Sequence, residues 1–353
     1  MATTEAVRVA GFGLPGSDGP IAAGDWDRFL SEVRREQLTG LAVAAAEAGV
    51  LEVDERRAAD LLGAHRDAMV WALGLERLLL RLDDAFAERG IGFVVMKGTS
   101  LAHTLYPDPS WRPFGDLDLL VRTRDWPVAL GVLCDLGFSR RLPEPRRGFD
   151  QRFGKAATHR TPDRQEIDLH RTLVLGPFGL WTEPEVLIDR AVWFTVAGRR
   201  LRRLDATGTF IEACVHAALG LRHPPLLTVR DVAQSLETGG IDWDAVARWS
   251  RDWHLAPVIE RGLRLAAESF GTAWPVEAAR ALRPATRAER RAVEAYTTER
   301  RARGGTAVAT LRAIRGVRGK TAYVRAMALP DRGFTDRRPG RWRRPAAWLV
   351  GRR

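Results

Sequence analysis

Two aspartates one residue apart, Asp116 and Asp118, lie in an apolar strand pattern that reads DLDLLV. Side chains alternate along a strand, so both carboxylates are expected on one face, with Leu117 and Leu119 on the other. Two negative charges so close together on one face are stabilised by a cation. The pair therefore predicts a cation site, with Asp116 and Asp118 as candidate metal ligands and catalytic residues.

A third carboxylate, Asp168, lies further along the chain in the pattern EIDLH. Alternation places Asp168 and His170 on one strand face, while the apolar residues between them point to the core. If this strand lies beside the first, three carboxylates converge. Oxygen ligands of this kind suit Mg²⁺ or Mn²⁺, and two such ions can activate a hydroxyl and neutralise charge on a transferring phosphoryl group. We therefore predict Asp168 as the third metal ligand and catalytic residue, and His170 as a contact to substrate.

An anion site is predicted upstream of the two aspartates, at Lys97, Gly98, Thr99 and Ser100. Gly98 lets the backbone approach an anion closely, and Thr99 or Ser100 can cap the helix that follows. The N-terminus of this helix offers unpaired N–H groups to phosphate. Lys97 and Arg112, which precedes the aspartates, are candidate phosphate contacts.

Hydrophobic spacing indicates the elements that position these residues. A long helix is predicted over residues 55–89 and a strand over 93–96. Hairpins are predicted at 155–160 with 165–169, and at 192–196 with 200–204. Beyond residue 205 strand signals fade and helical segments are predicted as far as residue 317. These patterns indicate an α+β (mixed α/β) fold with a small mixed sheet.

The order of strand, glycine with a hydroxyl residue, helix, Asp-x-Asp strand and later apolar-Asp-apolar strand resembles the polymerase-beta-type nucleotidyltransferase superfamily. More narrowly, MKGTSLAHTLYPDPSWRPFGDLDLLV followed by EIDLH is similar to an uncharacterised bacterial nucleotidyltransferase family. The resemblance covers residues 73–173 and extends weakly into the helical part, where His216, Arg230 and Asp231 follow a similar His and Arg-Asp pattern. These three residues are substrate-side candidates, and a buried ion pair joining two helices is the alternative.

The resemblance implies that Asp116 and Asp118 bind both metals and that Asp168 binds the catalytic metal near the attacking hydroxyl. Gly98, with a neighbouring hydroxyl residue, would hold the β- and γ-phosphates of a nucleotide. Two features depart from the superfamily: Thr99 stands where a second small residue is usual, and the interval from Gly98 to Asp116 is longer.

The resemblance also implies a division of the chain. We expect a flexible leader, an N-terminal helical element, a nucleotidyltransferase catalytic domain, a helical substrate-side domain and a basic Trp/Arg tail, over residues 1–24, 25–90, 91–204, 205–325 and 326–353. The tail interleaves arginines with Trp342 and Trp348. It is a candidate contact to RNA or an anionic membrane, and packing along the catalytic domain is the alternative.

The implied reaction is transfer of a nucleoside monophosphate from an NTP, ATP as first guess, to an acceptor, with release of pyrophosphate. Small molecules, peptides, proteins and RNA ends all remain open as acceptors. Relatives of the family occur in peptide natural-product gene clusters, so the resemblance raises the option of a peptide acceptor. Two other readings remain: an Asp-x-Asp nucleotide-sugar glycosyltransferase, which would not need Asp168, and a non-catalytic nucleotide- or RNA-binding module.

Amino-acid composition and charge place few limits on the function and location of the protein. The net charge is +11, but only three of the 55 Lys and Arg residues are Lys, so coding bias explains the charge as well as a function does. A positive field would also gather phosphate-bearing substrates, and nucleic acid is a possible but not a favoured partner. The sequence shows neither a signal-peptide pattern nor an apolar run long enough to span a bilayer, so we expect a cytoplasmic location.

Overall fold

The computed structural model describes residues 3–17, 19–298 and 304–336. Helices pack on both faces of one mixed sheet, which makes the fold α+β as predicted. A short parallel pair joins β1 (Ile21–Ala22) to β2 (Leu51–Glu52). The strands of the main sheet are β3 (Phe93–Met96), β4 (Asp116–Val121), β5 (Ser139–Arg140), β6 (Ala156–Arg160), β7 (Glu166–His170), β8 (Val192–Val196) and β9 (Arg199–Arg203).

The helices fall into three groups along the chain. Those before the main sheet are α1 (Thr4–Gly11), α2 (Trp26–Arg35), α3 (Thr39–Glu47) and α4 (Glu55–Ala87). Those between its strands are α5 (Lys97–Thr104), α6 (Trp126–Asp135), α7 (Phe149–Phe153), α8 (Pro177–Trp181) and α9 (Pro184–Asp189), with a 3₁₀ turn at Pro109–Trp111. Those after it are α10 (Ala206–Val215), α11 (Leu226–Thr238), α12 (Trp243–Asp252), α13 (Ala256–Phe270), α14 (Val276–Ala281), α15 (Arg287–Thr297), α16 (Gly305–Ala313), α17 (Val317–Ala328) and α18 (Arg332–Asp336), and a π-helical turn, His216–Gly220, continues α10.

The strand order of the main sheet is β5-β6-β7-β4-β3-β9-β8. Strand β7 runs parallel to β4, with Asp118 directly opposite Asp168. Strand β6 runs antiparallel to β7, and β3 runs antiparallel to β4. The predicted adjacency of the two aspartate-bearing strands is therefore confirmed, although the two residues are far apart in sequence.

Alternation along the strands gives the sheet two different faces. One face carries Val95, Leu119 and Leu169, which pack in one apolar cluster with α4 and α6. The other carries the carboxylates and, one pleat beyond Asp118, the paired residues Val94 and Leu120, which pack in the cluster of the C-terminal helices. The carboxylates therefore lie on the face that meets those helices.

The predicted helix at 55–89, the strand at 93–96 and both hairpins are confirmed, with ends shifted by at most two residues. Asp54 caps α4, because its side chain accepts a hydrogen bond from the Arg57 N–H. Glycines divide the helical stretch predicted to reach residue 317. Gly304 and Gly316 have φ values of +79° and +75°, directly before α16 and α17.

Two details of the predicted division need correction. The expected flexible leader contains α1, whose residues Ala6, Val9 and Ala10 are buried in an apolar cluster with α2 and α3. Its apolar spacing is helical, but eight residues are too few to stand out among the Gly and Pro around them. The expected boundary at 325/326 falls inside α17. The Trp342 and Trp348 part of the tail lies outside the described residues, and the other boundaries stay predictions.

None of the helices within the described ranges combines the length and apolarity needed to cross a membrane.

Gly40 of α3 is expected to tolerate no side chain. A Cβ atom there would lie 2.7 Å from Cα of Trp111 and still closer to the Ser110 carbonyl oxygen. We predict that Gly40→Ala lowers the free energy of unfolding by about 1–3 kcal/mol, because backbone atoms must move apart. Urea unfolding followed by circular dichroism measures the change.

The matched control is Gly63→Ala in α4, where a Cβ atom meets nothing within 4 Å. This variant is expected to raise stability by about 0.5–1 kcal/mol, because alanine loses less backbone entropy than glycine in a helix. Equal effects of the two substitutions would contradict the close packing of α3 on the 3₁₀ turn.

Candidate active site

The register of β4 and β7 brings together a cluster of possible metal ligands. One side-chain atom from each of Asp118, Asp168 and His170 lies within 4.8 Å of the other two. Asp116, one pleat earlier on the same face, is not in this group. The structure therefore groups two of the three predicted ligands with a histidine that the sequence suggested as a substrate contact.

Asp118 is 5% exposed, and two side chains face the same oxygen of its carboxylate. Nζ of Lys97 lies 3.0 Å from Oδ1, and Nε2 of His170 lies 2.6 Å from it. Burial opposes ionisation, but the Lys97 charge and the hydrogen bond with His170 hold the pKa of Asp118 well below its usual value. Nδ1 of His170 lies 3.1 Å from the Thr172 carbonyl oxygen, which fixes the ring orientation.

Two other carboxyl groups nearby, those of Asp116 and Glu212, have raised pKa values. The charge of Asp118, together with burial, raises the pKa of Asp116 to about 7. Burial likewise raises the pKa of Glu212 on α10 to about 7, and Glu212 lies 3.6 Å from Nζ of Lys97. A second lysine, Lys155, has its pKa lowered by burial and by the charge of Lys97.

These observations test whether a divalent cation fits. Two carboxylates and an imidazole converge here. The charges of Asp118 and Asp168 both act to raise the pKa of the neighbouring Asp116. A cation between Asp118 and Asp168 would relieve that repulsion. The donors present therefore fit a divalent metal ion.

The chain turns sharply where α5 begins, directly after β3, and its backbone conformation there favours glycine. Lys97 and Gly98 have φ values of +37° and +34°. A Cβ atom at Gly98 would lie 3.4 Å from the Asp116 carbonyl oxygen and from the Phe114 ring. Such backbone strain is concentrated at functional sites.

A cavity of about 160 Å³, here named the carboxylate cavity, opens over this turn. Seven of the predicted site residues line it, namely Lys97, Gly98, Arg112, Asp116, Asp118, Asp168 and His216. Lys155, Gln37 and Thr228 also line it. The strand ends, the glycine turn and the helical part of the chain thus meet around one polar space.

Residues 22–271, more than half of the chain, match the model of a family described as uncharacterised nucleotidyltransferase. The chain belongs to this nucleotidyltransferase family. Its structure is also similar to the crystal structure of an antigenic nucleotidyltransferase-like protein from Paracoccidioides brasiliensis. That match has 15% identity and a TM-score of 0.35, and it covers 59% of this chain and 95% of the other. No curated protein matches the chain.

Thr99 and Ser100 of the nucleotidyltransferase turn do not line the carboxylate cavity. Both side chains are buried, and the Ser100 hydroxyl donates to the Lys97 carbonyl oxygen at 2.9 Å. The Thr99 hydroxyl has no hydrogen-bond partner among the described residues. The expectation that one of these hydroxyls holds phosphate stays a prediction.

Arg112 lines the cavity, but its guanidinium is already engaged. Its Nε and Nη2 donate to the two carboxylate oxygens of Asp231, at 2.8 and 2.7 Å, and the Tyr106 hydroxyl donates to the same carboxylate at 2.8 Å. Arg112 thus forms a buried ion pair between the loop before β4 and α11, and its predicted phosphate contact stays a prediction.

Arg230 and Asp231 do not line the cavity, unlike His216. Arg230 is fully buried, and its Nη1 donates to the carbonyl oxygens of Ala10 and Phe12 at 2.6 and 2.7 Å. The expected substrate-side role of this Arg-Asp pair is corrected, because both side chains tie α11 to other parts of the chain. The alternative was a buried ion pair joining two helices; the ion pair observed joins Asp231 on α11 to Arg112 in the loop before β4. His216 stays a substrate-side candidate; burial holds the pKa of its imidazole well below the usual value.

Sequence reasoning missed Lys155 and Glu212. Both had a signal: Lys155 is one of only three lysines in an Arg-rich chain, and Glu212 is the one charged residue of α10 (ATGTFIEACV). Each comes from an element with no recognised motif, so only tertiary structure brings them to Lys97 and Asp168.

The Arg112–Asp231 pair gives a prediction that separates a structural role from phosphate binding. Arg112→Met leaves a buried carboxylate without its partner and is expected to cost about 3–5 kcal/mol in urea unfolding. The double variant Arg112→Met with Asp231→Leu is expected to recover much of that loss, because neither charge then remains buried.

The exposed pair Arg89–Asp135, 2.8 Å apart, is the matched control. Arg89→Met is expected to cost less than about 1 kcal/mol. If Arg112→Met instead leaves stability unchanged and weakens NTP binding, the result would support a phosphate contact of Arg112.

Proposed function

We propose that the protein transfers a nucleoside monophosphate from an NTP to an acceptor hydroxyl, with a divalent metal ion and release of pyrophosphate. ATP is the first candidate donor. The observation that supports this most directly is the register that sets Asp118 opposite Asp168, beside the strained turn at Gly98. Membership of a nucleotidyltransferase family agrees with it.

Asp118 and Asp168, with His170 or Asp116, would hold the metal. When bound, Mg²⁺ or Mn²⁺ would lower the pKa of a hydroxyl and neutralise charge on the reacting phosphate. Lys97 neutralises Asp118 within the site. The backbone at Gly98 leaves space for phosphate oxygens to approach, since no Cβ atom covers it.

In this proposal Asp168 accepts the proton of the acceptor hydroxyl. The Thr158 hydroxyl donates to its Oδ1 at 2.5 Å, which fixes the carboxylate and leaves Oδ2 to accept another proton. In the proposed step the acceptor oxygen forms a bond to the α-phosphorus. The bond from that phosphorus to the bridging oxygen breaks, its electron pair leaves with pyrophosphate, and the hydroxyl proton passes to Asp168.

The role proposed for Asp168 distinguishes this function from the two alternative functions. A nucleotide-sugar glycosyltransferase would use the Asp-x-Asp pair without a third carboxylate in register. A binding module would need no proton acceptor. The cytoplasmic location and the link to peptide natural products stay predictions from the sequence.

The experiment incubates the protein with each α-labelled NTP, Mg²⁺ or Mn²⁺ and a cell extract, and measures label in small-molecule, peptide, protein and RNA fractions. We expect Asp168→Asn to lower the transfer rate by about 10²–10⁴-fold, because the proton acceptor is lost. Removal of the metal with EDTA should abolish transfer.

Glu166→Gln is the matched control, because Glu166 lies on the same strand and face, two residues from Asp168. It pairs with Arg141 and Arg160 at the protein surface, so its loss should leave transfer unchanged. Equal activity of Asp168→Asn and wild type, or UDP-sugar hydrolysis without NTP turnover, would refute the proposed function. Thermal unfolding of each variant shows whether it remains folded.

A further inference from the structure

A second cavity, of about 570 Å³ and here named the apolar cavity, meets the carboxylate cavity at Asp168 and Lys155, which line both. It does not reach Gly98, Asp116 or Asp118. The two cavities therefore lie on different sides of the proposed proton acceptor.

The sheet fixes which side each cavity occupies. Met96, Asp118, Asp168 and Thr158 stand directly opposite one another across the neighbouring strands β3, β4, β7 and β6. Gly98 follows β3 at one end of this row. Thr158 and the apolar cavity lie at the other end.

Phosphoryl transfer needs the attacking and leaving oxygens roughly in line on opposite sides of the phosphorus. If pyrophosphate leaves toward the turn at Gly98, the nucleophile must approach from beyond Asp168. The apolar cavity lies on that side, next to Thr158 and Asp168.

The lining of the apolar cavity indicates the chemistry of its ligand. Aromatic and aliphatic side chains predominate, among them Leu142, Phe149, Val174, Tyr323, Met327 and Phe334. Within the described part of the chain, the cationic lining residues are Arg140 and Lys155. Arg140 forms an ion pair with Asp150, which also lines the cavity, and Lys155 lies at the carboxylate end.

A polynucleotide end would need several free cations for its phosphates. The volume lies in the range of cavities that enclose small ligands. We propose that the apolar cavity binds the acceptor, and that the acceptor is a small molecule with a hydroxyl group on an apolar body. This inference rests on the proposed function and names its substrate class.

Ala307 and Val308, neighbours on α16, give a matched pair of variants. Ala307 lines the apolar cavity, whereas Val308 is 47% exposed and does not line it. Ala307→Phe would fill part of the apolar cavity, at a position far in sequence from the carboxylates. Val308→Phe adds a ring at the next position outside it.

The probe is 3-phenylpropan-1-ol, an apolar alcohol, compared with glycerol, a short oligoribonucleotide and a serine-containing pentapeptide. Binding is measured by saturation-transfer NMR, and acceptance of label is measured with α-labelled NTP and Mg²⁺. We expect wild type and Val308→Phe to bind and label the apolar alcohol in preference to the other three probes. Ala307→Phe should weaken its binding at least tenfold while NTP affinity is unchanged.

Three results would overturn the inference. Glycerol could bind as well as the apolar alcohol, or the oligoribonucleotide or pentapeptide could be labelled in preference to it. Alternatively, Ala307→Phe could weaken NTP binding, which would place the nucleotide base in the cavity.

The proposed function has its own test. If the alcohol fails to bind while Asp168 still controls transfer in extract, the acceptor inference fails and the proposed function stands. If Asp168→Asn leaves transfer in extract unchanged, the proposed function itself fails.

Discussion

The negative charge on Asp118 is almost wholly removed from water, and the structure around it depends on how that charge is compensated. Lys97 comes from the junction of β3 and α5, and His170 comes from the end of β7. Lys97 in turn reaches Glu212 on α10. A buried ion pair is costly unless its geometry satisfies both partners. Compensation of the Asp118 charge thus requires β3, β4 and β7 to hold one arrangement, and the contact of Lys97 with Glu212 links this arrangement to α10.

This arrangement explains why the site is strained and crowded. A fold selected for stability alone would gain little from Lys97 and Gly98 in left-handed backbone conformations, or from carboxyls whose pKa is raised to about 7. Strained backbone and carboxyls of this kind are typical of sites arranged in advance around the charge of a ligand. Apolar packing on both faces of the sheet offsets the free energy lost to this strain and charge burial.

Local patterns were enough to predict β3, β4, β7, α4 and the face that carries the carboxylates, because alternation and capping act within a few residues. The pairing of Asp118 with Asp168 was conditional on adjacency, since no local signal sets strand order. The ion pair of Arg112 with Asp231 was not predicted, because the two residues are 119 positions apart in the chain. Lys155 and Glu212 were missed for the same reason: they belong to the site only through tertiary contacts.

The two cavities also differ in which part of the chain builds them. The described lining of the carboxylate cavity ends at Thr228, within the residues that match the family. One wall of the apolar cavity comes from α15 to α18, beyond residue 271 where that match ends. The family relationship therefore bears on the nucleotide chemistry and carries no information about this wall. If the acceptor binds there, its identity is determined by side chains such as Tyr296, Tyr323 and Met327, and relatives that differ in this segment would act on different acceptors.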